Sequence, residues 1–391
     1  MAWTIASIMK RPWCLGRTKP AVPAWTMHER DIVPADISTR ASCSESRRWR
    51  DGDVAHGMFG QIHPRFSASD THEIWQNPFI CNSGVRQDAM DRSLQLIYEK
   101  DFRIRYLESR KEAFQNLFET LMSKRFPSDF EPCKPWGRQG DEKNDGYLPS
   151  ARTLFQVYAP EAFDSAKAVT KINADLNGAL PHWQQYFDHW VFVHNAPALP
   201  PNVIKTLADL RTANPQIAIS HWGYEELLKV FRELEQADLE SWFGVSYSGE
   251  DRGQMGYADL KAVVEHIKFS SVDADGTPRP VPQGKIEFNQ LSPEVAGVIK
   301  LAMEKVRLVE SFFAGWRDPL FAARIAAAFK ARYIELRTAE PAMHPDLIWG
   351  ELEEWAGYNA TRHPREKAAI HAVLAWLFGN CDIFEEPLVV S

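Results

Sequence analysis

Two hydrophobic regimes divide the patterned part of the chain. Between 102 and 126, Ile104, Leu107, Phe114, Leu117, Phe118, Leu121 and Met122 recur every three or four residues, which predicts a helix. Short strand-like runs follow: GDEKNDGYL at 140–148, TLFQVYAP at 153–160, WVFVH at 190–194 and IAIS at 217–220. Bounded by Pro, Ser, Asn and Gly, they read as strands. Helical spacing returns at 164–180, at 201–210 (Val203, Ile204, Leu207, Leu210) and at 224–234. Helix, strands, then helix and strand in alternation predict an α/β domain over 90–235, with helices packed on a mixed sheet.

Beyond 284 the period is helical throughout. Ser292 followed by Pro293 is a capped start, and Val295, Val298, Ile299, Met303, Val306, Val309 and Phe313 make one stripe. Pro319, Pro345 and Pro364 open three further helices, which predicts an all-α domain over 285–391. No cluster of titratable groups within it suggests chemistry, so it reads as a binding or oligomerisation module. Residues 236–284 read as a connector with helical pieces at 237–243 and 257–269. Within it, Asp273, Asp275 and Gly276 form a turn that lacks the further ligands of a calcium loop. Residues 1–89 hold scattered tryptophans (Trp3, Trp13, Trp25, Trp75) with no sustained period. They are expected to be poorly ordered, either a start read too far upstream, with Met90 the initiator, or a basic arm.

Composition narrows the function classes. A net charge of −7 argues against a surface that is basic overall, although Arg103, Arg105, Arg110, Lys111, Lys124, Arg125, Lys134 and Arg138 crowd one stretch. They read as the solvated face of a helix, with a nucleic-acid patch as the alternative. The five cysteines lack C-x-x-C spacing, so neither a zinc site nor a disulfide framework is expected, which suits a reducing cytoplasm. No apolar run approaches the length of a membrane span.

Candidate chemistry concentrates in the hairpin of GDEKNDGYL (140–148) and TLFQVY (153–158). Strand alternation places Gln156 with Tyr158 and Lys143 with Asp145, and pairing would let Asp145 meet Gln156 and Tyr158 at one rim. The histidines of this domain, His182, His189, His194 and His221, show no i, i+4 metal pairing and read as structural.

The element order and the G-D-x-x-x-D-G…F-Q-V-Y run resemble the PD-(D/E)xK superfamily, and within it the Mrr-type restriction endonucleases, over about 102–234. The resemblance implies a restriction-endonuclease-like fold with Asp145 as the metal-binding Asp, Gln156 as the second ligand and Tyr158 in the place of the usual Lys. Glu119 or Glu112 would be the helix carboxylate. Lys143 would supply the missing ammonium, Asp141 a further carboxylate, and Mg²⁺ the metal for cleaving DNA or RNA. Because a Gln amide is a weaker Mg²⁺ ligand than a carboxylate, a catalytically silent, binding or adaptor domain is the alternative. In the helical part, KIEFNQLS (285–292), WRDP (316–319), YIEL (333–336) and CDIFE (381–385) resemble C-terminal domains of bacterial ABC three-component conflict systems. That implies a defence protein in which this domain joins the effector to a middle component and an ABC-type ATPase.

Overall fold

The computed structural model describes residues 90–134, 142–267, 284–380 and 382–387. The expectations for 1–89, for Asp141 and for the Asp273–Gly276 turn lie outside these described residues.

Among the described residues the sheet has five strands in sequential order: β1 (Glu131–Pro132), β2 (Gly146–Leu148), β3 (Thr153–Tyr158), β4 (His189–His194) and β5 (Ala218–Trp222). β1, β2 and β3 pair antiparallel, and β3, β4 and β5 pair parallel. The parallel pairs need crossovers, supplied by α3 (Ser165–Trp183) and α4 (Pro201–Ala213). Alternation along the strands makes two cores. Leu154, Trp190, Phe192 and Ile219 pack beneath α3 and α4. Phe155, Val191, Val193 and Trp222 face the opposite layer. That layer holds α1 (Arg92–Glu108), α2 (Lys111–Arg125), α5 (Tyr224–Phe231) and α6 (Gln236–Phe243). The result is a mixed α/β sandwich followed by a mostly helical region.

The single helix predicted between 102 and 126 is two. Ser109 turns extended, its hydroxyl donates back to the Arg105 carbonyl at 2.7 Å, and Lys111 has φ +50°. The Lys111 N–H donates to the Ala159 carbonyl at 2.6 Å, so the end of β3 sets where α2 begins.

Between the sheet and the helical region the chain carries α6, α7 (Gly249–Gln254) and α8 (Tyr257–His266). Then come α9 (Lys285–Phe288), α10 (Pro293–Met303), α11 (Val306–Ala314), α12 (Phe321–Arg337), α13 (Pro345–Trp355) and α14 (Pro364–Gly379). The stripe read as one helix from Val295 to Phe313 is interrupted at Glu304 and Lys305, giving α10 and α11. Proline stands in the first turn of α4, α10, α13 and α14, where its missing N–H has no partner to lose. α14 is buried nearly all round and forms the axis of this core.

α1 belongs to both cores. Leu94, Tyr98, Phe102 and Tyr106, four residues apart, face the sheet layer, whereas Ile97 joins the helical core. Its far side meets two glycines. A Cβ on Gly297 of α10 would come within 3.1 Å of Leu96, and one on Gly350 of α13 within 3.0 Å of Ile104. Their bare backbones let both helices lie close against α1.

Candidate functional site

The hairpin rim is built by local turn chemistry. Glu142 and Lys143 adopt positive φ, and the Asn144 side chain accepts from the Gly146 N–H at 2.8 Å, turning the chain into β2. The Asp145 N–H then donates to the Phe155 carbonyl at 3.0 Å, which sets the register. This leaves the Asp145 carboxylate facing the next residues of β3. It accepts from the Val157 N–H at 2.8 Å, from Gln156 Nε2 in a short hydrogen bond, and from Gln115 Nε2 of α2 at 3.2 Å. Gln115 also donates to Glu119 at 3.2 Å, and Lys134 Nζ lies 3.1 Å from Glu119.

The structure therefore brings Asp145, Gln156 and Glu119 into one hydrogen-bonded group. Gln115, which the sequence reading passed over, is the bridge; only its i, i+4 relation to Glu119 hinted at it. Glu112 is exposed on α2. Lys143 follows a different course: its ammonium lies 3.6 Å from Asp175 on α3, which Lys171 also holds at 2.6 Å. Burial pushes the Asp175 carboxyl up, and the two lysines oppose that shift. Tyr158 stacks on Phe192 at 5.9 Å and meets Phe163 edge-on, and burial raises its phenol.

As a metal site the group is mixed. Asp145 and Glu119 are hard oxygen donors of the kind Mg²⁺ takes, and Gln156 Oε1 is buried without a hydrogen-bond partner. Against this, three N–H donors already satisfy Asp145. Among the described residues no group of three or more His, Cys, Asp and Glu is arranged for a metal. Asp141 lies outside them.

The histidines are placed by the sheet. His189 Nε2 is 2.8 Å from Ser220 Oγ, and His194 Nε2 is 3.2 Å from His221 Nδ1. Burial lowers His189 and His194 from 6.5 to about 4, so both are neutral at physiological pH. His189, Ser220 and His221 line a cleft of about 890 Å³ along β5.

The basic side chains of this stretch pair within the chain, with Lys111 and Lys134 still largely exposed. Arg103 reaches Asp346 at 3.2 Å, Arg105 lies over the Phe243 ring, Lys124 meets Asp238, and Arg125 meets Glu233. Lys111 meets Glu161 at 3.1 Å, and Lys134 meets Glu119 as above. Arg138 lies outside the described residues.

In the helical region three of the four short runs singled out along the sequence meet in space, while Trp316 of the fourth packs on Phe312 and Phe321. Lys285 is buried, and its ammonium donates to the carbonyls of Phe378 at 2.7 Å and Ile383 at 2.9 Å. Asn289 and Glu385 exchange two hydrogen bonds of 2.8 and 2.9 Å, and Tyr333 donates to Glu385 at 3.4 Å. Ser292 caps α10, and its N–H donates to Asp346 at 3.0 Å. Three stretches far apart in sequence thus close one knot at the end of α14. Residues 258–385 match the family model for C-terminal domain 10 of the ABC-three component (ABC-3C) systems. No curated protein and no solved structure matches the chain.

The ABC-3C span begins within α8, so that helix, read as part of a connector, lies inside the matched region. Apolar side chains stand exposed on this domain at Phe288, Leu320 and Ile334. No helix among the described residues is long and apolar enough to cross a membrane.

Proposed function

We propose that the chain is an adaptor component of a bacterial ABC three-component defence system. In this reading the ABC-3C-type domain docks onto the middle component or the ABC-type ATPase, and the α/β domain is a nuclease-like fold that mediates contact without cleaving. The observation that carries the docking half is the family match at 258–385. The silent-effector half is supported by the carboxylate of Asp145, whose hydrogen bonds tie the hairpin to α2, and by the internal pairing of the basic side chains.

A second reading, Mg²⁺-dependent cleavage of DNA or RNA, has a specific observation in its favour. Gln156 Oε1 is buried and unsatisfied next to Asp145, with Glu119 one amide away. There a bound Mg²⁺ would act as a Lewis acid and lower the pKa of a water. Asp145, Gln156 and Glu119 would hold it, and Lys143 and Tyr158 would flank the rim.

The full chain, assayed on plasmid and single-stranded substrates with Mg²⁺ or Mn²⁺, is expected to leave both intact and to show no salt-sensitive binding. It is expected to co-elute with the system's other components, and Leu320→Glu or Ile334→Glu should weaken that association without unfolding the chain. Cleavage present in the native chain and lost in Asp145→Ala would replace the adaptor reading with the second one.

A further inference from the structure

One buried polar chain lies away from the hairpin rim, where α1 meets the ABC-3C-type domain. Around it lie two close apolar contacts, Leu96 against Gly297 and Ile104 against Gly350, and the Arg103–Asp346 ion pair. In their midst Lys100, fully buried, places its ammonium 2.6 Å from Glu353 of α13 and 2.7 Å from Asp101. Glu353 accepts from Trp349 Nε1 at 2.5 Å and lies 2.8 Å from His371 Nε2 of α14. The Nδ1 of His371 is 2.7 Å from the Tyr247 hydroxyl. The Tyr358 ring stacks on His371 and receives both the Lys100 and Lys367 ammoniums, at 4.7 and 4.8 Å. Lys367 donates to the Val245 carbonyl at 2.8 Å. Three parts of the chain are joined: α1, the segment 245–247, and α13 with α14.

We propose that α1 is a coupling helix, seated on the ABC-3C-type domain by the buried Lys100–Glu353–His371–Tyr247 chain so that the α/β and helical halves open together. A buried ion pair adds little net stability over apolar packing of the same volume. It does penalise states in which the partners separate while still out of water, because each leaves a desolvated charge uncompensated. α1 therefore does not slip partway. The same helix covers one face of the sheet layer with Tyr98, Phe102 and Tyr106, and the Tyr106 hydroxyl donates to the His194 carbonyl at 3.2 Å, at the end of β4. Moving α1 at Lys100 uncovers the sheet. A partner acting on α13 or α14 would be felt at β4 through this helix. The coupling concerns the fold itself and holds whether or not the α/β domain meets nucleic acid.

Hydrogen exchange of the full chain, followed by mass spectrometry in α1, α14 and β4, tests this. In the native chain the three are expected to exchange through one common opening. Glu353→Gln and Lys100→Met should each speed that opening in all three by about a hundredfold. The double variant Lys100→Met with Glu353→Gln removes both charges and should be slower to open than the product of the single effects predicts, falling within about tenfold of the better single variant. If a single variant does not accumulate folded, the double variant still carries the comparison between α14 and β4. Faster exchange in α14 with β4 unchanged, in either the single or the double variants, would overturn the proposal, as would single effects that simply multiply.

Discussion

At the scale of single residues, Asp145 is the carboxylate that ties the hairpin to α2. Replacing it by Ala strands the Val157 N–H and the buried Gln156 amide, and leaves the Gln115 amide with Glu119 alone. Asp145→Ala is therefore expected to destabilise the chain by about 2–4 kcal/mol, read from urea unfolding. A loss under about 0.5 kcal/mol would mean that the carboxylate is not a clamp. The meeting of Asp145 with Gln156 was legible from strand alternation across a short turn. Gln115 was not, because thirty residues separate it from Asp145 and only the rotation of α2 on the sheet brings its amide into reach. Lys143 misled for a local reason. Its positive φ belongs to a turn, so the two-residue strand period that would place it beside Asp145 does not apply there.

At the scale of elements, α1 shows how a helix can hide its role. Its stripe toward the sheet layer is regular, and each buried aromatic on it contributes roughly 1.5–3 kcal/mol, an upper bound set by the extended-chain reference. The other side reads as polar because Lys100 and Arg103 occupy it, yet it is buried against α10 and α13. Gly350 makes that approach feasible. Gly350→Leu would drive a side chain into Ile104 and is expected to cost about 2 kcal/mol or more in chemical unfolding. Gly253→Ala in α7 is the control, since an added Cβ meets nothing there, and it should be neutral or gain up to about 1 kcal/mol. Equal effects at the two positions would remove close helix approach as the explanation.

At the scale of the whole molecule, burial of imidazoles makes the fold acid-labile. His189, His194, His221 and His371 are all lowered below 6.5, first by desolvation. The unfolded chain therefore binds more protons than the folded one below about 6.5, so stability is full above that pH. It falls as pH drops from 6.5 toward about 4, the folded value of His189 and His194. Melting curves at about pH 7.5 and pH 5 should show a clear loss at the lower value, reduced in His194→Gln. A flat profile across that window would contradict the burial of these rings. Taken alone, the sequence determined what local physics can specify: strand and helix periods, the helices opened by Pro201, Pro293, Pro345 and Pro364 (though not by Pro319, which precedes α12), the hairpin turn and the short runs of the ABC-3C-type domain. Each depends on neighbours within a few residues. Only the tertiary structure decided that α1 ends at Glu108, that Arg103, Lys124 and Arg125 pair with Asp346, Asp238 and Glu233, and that Lys100 is buried beside Glu353. Those outcomes depend on which surfaces meet across hundreds of residues, and hydrophobic period carries no record of the partner that covers a face.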